Sequence, residues 1–284
     1  MDETTRQVPV SSGAYIETIN KDLEVRGISS VLFDFDGTVS VIREGWQEIM
    51  VPMMVEELMK TPNHGPQEAL HEYVREYVYV LTGKDTIFQM MRLAEEVQKR
   101  GGTALEPLEY KREYHRRLWR RIEHRVAGLK SGVIDPHEMV IEGAIELIED
   151  LHSRSVDMYL ASGTDHPYVV DEARALGIDN HFGEHIYGAL DNYWERSKAK
   201  IIKDILEKND LHGSSLLTFG DGFVEIENCK EVGGLAVGVA SDEVNRHGIN
   251  HWKRERLIRA GADIIIPDFS DLPALTRLLF GDTT

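Results

Sequence analysis

Between residues 41 and 131 the chain carries helical periodicity only, and every strand-like run lies before or after that stretch. Leu70, Tyr73, Val74, Tyr77, Val78 and Leu81 recur at three-to-four spacing, as do Ile87, Met90, Met91, Ala94 and Val97. A third stripe follows at Tyr114, Leu118, Ile122 and Val126. Such stripes pack helix on helix. Pro62-Asn63-His64-Gly65-Pro66 and Gly101-Gly102 mark helix ends, and Pro52 is expected to interrupt the first helix of the block. Outside the block, strands are expected at 29–37, Val156–Ala161, Leu216–Phe219, Leu235–Ala240 and Asp263–Ile266. Helices near 138–153, 167–176, 198–208, 223–231 and 271–280 separate or follow them, with one more before the last strand. Residues 1–28 read as a lead-in with a short helix. Alternating strands and helices imply a mostly parallel sheet with right-handed crossovers. The expected fold is therefore α/β, with a core of residues 1–40 and 132–284 and an all-helical insertion at 41–131.

Bulk properties narrow the setting. The chain has 284 residues, long enough to bury a substantial core. Its single cysteine, Cys229, excludes an internal disulfide framework. No apolar run approaches the roughly 20 residues that span a bilayer, so no membrane role is expected. The opening MDETTRQVPVSSG lacks the basic and apolar regions of a secretory signal, which makes the cytoplasm the expected location. A formal charge of −17 opposes binding to nucleic acid. Against that trend, residues 111–130 carry Lys111, Arg112, Arg116, Arg117, Arg120, Arg121, Arg125 and Lys130 with only Glu113 and Glu123. The segment reads either as a solvated helix face or as a basic surface for an anionic ligand or acidic partner.

The chemistry gathers at strand ends, where open α/β sheets place their ligands. The first strand runs out as Val31-Leu32-Phe33-Asp34-Phe35-Asp36-Gly37-Thr38. Side chains alternate along a strand, so two carboxylates two apart share a face, and Gly37-Thr38 lets the backbone turn away beneath them. The next strand ends Leu160-Ala161-Ser162-Gly163-Thr164, offering a hydroxyl and free N–H groups to an anion. Ser197-Lys198-Ala199-Lys200 opens a later helix. The following strand ends Thr218-Phe219-Gly220-Asp221-Gly222, with Glu225 one turn into the next helix. Two acid sites at neighbouring strand tips supply the hard oxygen ligands that Mg²⁺ requires.

In these four places, and in their order, the sequence resembles the haloacid dehalogenase-like hydrolase superfamily. Asp34-Phe35-Asp36-Gly37-Thr38 is similar to its first motif, Ser162 to the second, Lys198 to the third (with Lys200 as the alternative) and Gly220-Asp221-Gly222 through Glu225 to the fourth. The resemblance implies a Rossmann-like three-layer core with a helical cap of the C1 type. It implies a phosphohydrolase in which Asp34 is the nucleophile and Asp36 the general acid and base. Thr38, Ser162, Gly163 and Lys198 would hold the phosphate, and Asp34, Asp36 through its carbonyl, Asp221 and Glu225 would hold Mg²⁺. The acid at Asp36 argues against dehalogenation. A sugar phosphomutase is the alternative reaction, and a silent regulatory module is the alternative without one.

Specificity is expected from the helical block. The turn Thr82-Gly83-Lys84-Asp85 joins two of its helices, and Gly83 and Lys84 are candidates for substrate contact. Arg43 and Trp46, just past the first motif, are further candidates. The expected partner is a small phosphorylated metabolite.

Overall fold

The computed structural model describes residues 16–23, 25, 27–190, 198–210 and 213–281. One sheet of seven strands organises the chain: β1 (Glu17–Thr18), β2 (Ser30–Asp34), β3 (Asp157–Asp165), β4 (Ile186–Ala189), β5 (Leu216–Gly220), β6 (Leu235–Val239) and β7 (Ile264–Ile266). Their order across the sheet is β1-β7-β6-β5-β2-β3-β4. All neighbours run parallel except β1, which pairs antiparallel with β7. The chain steps outward from β2 through β3 to β4 on one side and from β5 through β6 to β7 on the other. The reversal falls between β2 and β5, and a cleft opens at the strand ends there.

Both faces of the sheet are covered, and strand alternation assigns each residue to a face. Val31, Phe33, Leu160, Leu217, Phe219 and Val237 pack with α5 (Ala144–Ser153), α7 (Asp179–Phe182) and α11 (Leu272–Phe280). Leu32, Tyr159, Leu216, Ala236 and Ile265 point the other way, onto α8 (Lys198–Lys208), α9 (Phe223–Glu231) and α10 (His251–Ala260). Phe33 stacks on Phe219 at 5.2 Å between ring centres, which pins β2 to β5 at the reversal. The remaining core helix, α6 (His166–Ala175), follows β3 directly.

Between β2 and the core helix α5 the chain forms four helices of its own: α1 (Gln47–Met59), α2 (Gln67–Leu81), α3 (Thr86–Lys99) and α4 (Pro107–Ser131). The stripes read from the sequence form their common core, with Val74, Met90, Leu118 and Ile122 buried. The chain leaves and re-enters the sheet through one seam. The Val41 amide donates to the Met139 carbonyl and the Ile141 amide to the Val39 carbonyl, each at 2.9 Å.

Two local expectations are corrected. Pro52 does not interrupt α1 but lies inside it. Its ring is exposed and so is Glu48, whose carbonyl loses an amide partner and can turn to water instead. Among its described residues the lead-in contributes a strand, β1, because Glu17 and Thr18 pair with Ile265 and Ile264; residues 1–15 of the stretch where a short helix was expected lie outside the described residues. The helix expected at 138–153 begins at Ala144, preceded by a 3-10 turn at Pro136–Met139. There Gly143 sits at φ +78°, where a Cβ would lie 2.4 Å from the Phe269 carbonyl oxygen. The short strand β4 was not expected at all. No helix among the described residues is long and apolar enough to cross a membrane.

Candidate active site

The strand order makes β5, β2 and β3 adjacent, with Phe33 beside Phe219 and Asp34 beside Ala161. The three strand ends that carry acid, hydroxyl and acid therefore meet. Asp34 is 4% exposed at the tip of β2. One carboxylate oxygen from each of Asp34, Asp221 and Glu225 lies within 4.8 Å of the others. Gly37 turns the chain at φ +81°, and a Cβ there would fall 2.4 Å from Asp221 Oδ2. The turn is thus cut to let the Asp221 carboxylate lie over it. A donor set of hard oxygens in a tight trio fits a hard divalent cation. Glu225 also accepts a hydrogen bond from the Gly222 amide at 2.8 Å, which fixes the start of α9.

Asp36 stands apart from that trio. Its Oδ2 accepts hydrogen bonds from Ser162 Oγ at 3.1 Å and Thr164 Oγ1 at 2.9 Å, and its Oδ1 faces Arg43 Nε at 3.8 Å. Ser162 in turn accepts from the Thr164 amide. The two acids of the first motif are thereby placed in different surroundings, one against the acidic trio and one among donors. Thr38 is fully buried beneath them; its hydroxyl donates to Asp34 at 3.4 Å and accepts from the Asp221 amide at 2.9 Å. That hydroxyl ties β2 to β5 rather than facing the cavity. Lys198 opens α8, but its side chain lies outside the described residues, and Lys200 is exposed on the same helix.

A cavity of about 300 Å³ lies over these groups, and its lining includes Asp34, Asp36, Ser162, Gly163 and Asp221 from the sheet side. Arg43, Trp46, Gly83, Lys84 and Tyr114 line it from the linker and the helical block. The Thr82–Asp85 turn is seated on the strand tips. A Cβ at Gly83 would lie 3.3 Å from the Gly222 Cα, and one at Gly163 would lie 3.3 Å from the Asp85 Cα. Arg43 is buried and committed, with its guanidinium bonded to Glu172 at 2.6 Å and close to His115 at 3.4 Å. Burial opposes its charge, but Glu172 and Asp36 outweigh burial and hold it protonated.

Sequence reasoning missed a buried lysine. Lys253 on α10 donates to Asp221 Oδ2 at 2.7 Å, Glu243 Oε1 at 2.8 Å and Ser241 Oγ at 3.0 Å. Ser241 passes the connection on to the Gly37 carbonyl at 2.6 Å. Burial works against the Lys253 charge, yet Asp221 and Glu243 raise its pKa above the ordinary lysine value. A signal for part of this existed. Ala240-Ser241-Asp242-Glu243 follows β6, so the strand-end rule applied once more would have found Ser241 and Glu243. Thr164 stands two residues past Ser162 in the same strand end, but nothing in the local sequence marks Lys253.

Known proteins resemble the chain in sequence and in fold. The family model of haloacid dehalogenase-like hydrolases fits residues 28–233. A 5'-nucleotidase of Pseudomonas aeruginosa is 26% identical over 146 residues, which make up 48% of this chain and 63% of that relative. The chain thus spans less than two thirds of that relative's length. Among solved structures, a predicted phosphoglycolate phosphatase of Haemophilus somnus superposes with a TM-score of 0.56 at 16% identity, covering 88% of this chain and 98% of the other. CbbY of Rhodobacter sphaeroides, in complex with phosphate, gives a TM-score of 0.55 at 20% identity, covering 86% and 96%. At such identities the likeness is one of fold. The family match is broader in kind, since it takes in β2, the helical block and α9, and with them Asp34, Asp36, Asp221 and Glu225; the chain belongs to the haloacid dehalogenase-like hydrolase family.

Proposed function

We propose that the protein is a Mg²⁺-dependent phosphohydrolase acting on a small phosphorylated metabolite. In this reading residues 1–40 and 132–284 form the catalytic core, and residues 41–131 the cap that encloses the substrate. One observation carries it: two aspartates two residues apart occupy opposite environments at a single strand tip. Asp34 belongs to an acidic trio suited to a cation, while Asp36 is held by Ser162, Thr164 and Arg43.

Each residue then has a task. Asp34 attacks phosphorus, the bond to the leaving oxygen breaks, and an aspartyl-phosphate forms. Asp36 gives its proton to the departing alkoxide, then takes one from the water that attacks the aspartyl-phosphate and frees Asp34. The Ser162 hydroxyl, the Gly163 backbone and the Lys198 ammonium hold the phosphoryl oxygens. Asp34, the Asp36 carbonyl, Asp221 and Glu225 would hold Mg²⁺, whose contribution when bound is to neutralise charge between carboxylate and phosphoryl dianion. A cavity of about 300 Å³ shared between sheet and cap supports a small leaving group. The 5'-nucleotidase relative supports a phosphomonoester.

The test is a phosphate-release screen over phosphorylated metabolites, including nucleoside 5'-monophosphates and hexose phosphates. Asp34→Asn should cut turnover by on the order of 10³-fold or more while leaving the melting curve in place. EDTA should abolish release, and added Mg²⁺ should restore it. Phosphate release that persists in Asp34→Asn, or isomerised product without free phosphate, would contradict the hydrolase reading.

A further inference from the structure

The cap loop that overhangs the strand tips is held from the core side by a residue with no part in the chemistry. Arg256 lies on α10 and reaches the C-terminal end of α2. Its Nη1 donates to the Tyr79 carbonyl at 2.9 Å and its Nη2 to the Val80 carbonyl at 2.8 Å. Both carbonyls belong to the last turn of α2, where the i+4 amides run out and the helix dipole is negative; the Tyr79 carbonyl also takes the Thr82 amide at 3.2 Å. A guanidinium suits that place because it is a cation with parallel donors. The same group also packs over Phe223 at 4.5 Å and Trp252 at 5.1 Å. Trp252 meets Tyr79 edge to face at 5.2 Å, and both line the cavity. Immediately beyond this contact come Thr82-Gly83-Lys84-Asp85, with Gly83 resting backbone to backbone on Gly222.

The position of the loop therefore depends on how firmly the end of α2 is held. Contacts from α4 to the core, such as Lys111 to Asp165 and Lys130 to Asp171, secure a different helix. We propose that Arg256 is a positioning residue for substrate recognition, a latch that fixes the Thr82–Asp85 loop over the phosphoryl site and joins Tyr79 to Trp252 at the cavity rim. The proposal rests on the reading of this cavity as the active site. Without the latch the loop spends less time in the binding-competent position, and apparent affinity falls by the fraction lost.

Two readouts separate the latch from the activity. In Arg256→Ala, amide exchange across residues 78–86 should accelerate about tenfold, with α4 amides unchanged. The KM for the best substrate of the parent should rise about tenfold, with kcat within about threefold. Arg256→Lys keeps the charge but not the planar stack, so it should recover only part of both effects. It also serves if the alanine variant folds poorly. Unchanged exchange across 78–86 in either variant overturns the proposal, as does a fall in kcat with KM intact. Faster local exchange in a protein whose parent shows no phosphate release supports the latch and overturns the activity reading alone.

Discussion

The Lys253 ammonium has three protons to give, and Asp221, Glu243 and Ser241 take them. Removing it would leave two carboxylates facing one another in a buried setting. Breaking one side of a buried ion pair costs about 3–5 kcal/mol. Lys253→Met should therefore lower the melting temperature, and Mg²⁺ should recover more of that loss in the variant than it adds to the parent. Equal melting curves with and without Mg²⁺ would show that Lys253 does not balance the acidic site. At this scale the sequence was informative where chemistry sits at a strand end and silent where it arrives from elsewhere. Asp34, Asp36, Ser162 and Asp221 are written beside the apolar runs that deliver them. Lys253 reaches the site from a helix whose start is set by the Asn250 cap, and no local pattern records its destination.

Helix α4 shows the same limit at the scale of an element. Its basic residues left two readings open, a solvated face or a surface for an anion, and most of those with described partners serve neither. Arg125 donates to the Ile42 carbonyl at 2.7 Å, the Glu44 carbonyl at 3.0 Å and the Glu44 carboxylate at 3.1 Å. Arg117 reaches Glu56, Arg121 reaches Glu48, and Lys111 and Lys130 reach Asp165 and Asp171. The helix braces the linker, α1 and α6, and its partners lie too far along the chain for a charge pattern to name them. The periodic spacing foretold that α4 is a helix; only the tertiary fold says which acids it meets. Arg125→Met should cost roughly 1–3 kcal/mol by leaving linker carbonyls unsatisfied. Arg121→Met, which breaks a more exposed pair, should cost less than about 1 kcal/mol. Urea titrations of the two variants would settle the matter, and equal losses would contradict the assignment of Arg125 as the linker brace.

For the whole molecule, the junction between cap and core carries a pH dependence. His115 on α4 is half-enclosed by Arg43, Asp165, Lys111 and the rings of Tyr114 and Tyr168. Burial, then the Arg43 charge, pushes its pKa down to about 4, against a partial upward pull from Asp165. The unfolded chain takes up a proton near pH 6.5, whereas the folded chain refuses it until about pH 4. Stability from this residue is therefore complete above pH 6.5 and drains away as pH falls through that window, by up to about 1.4 kcal/mol per unit. His115→Gln should flatten the stability profile between pH 6.5 and 4 relative to the parent; identical profiles would remove His115 from the account. The seam at Val39–Val41 and Met139–Ile141 has a broader consequence. Because the outgoing and returning segments bond to each other, the entropy of closing a long excursion is met at its base by a few backbone bonds. The strand order is then indifferent to what hangs from that base. Any helical insert whose two ends meet at the same spacing could take its place, so under the proposed division of labour recognition by the insert can change independently of the chemistry at the strand tips.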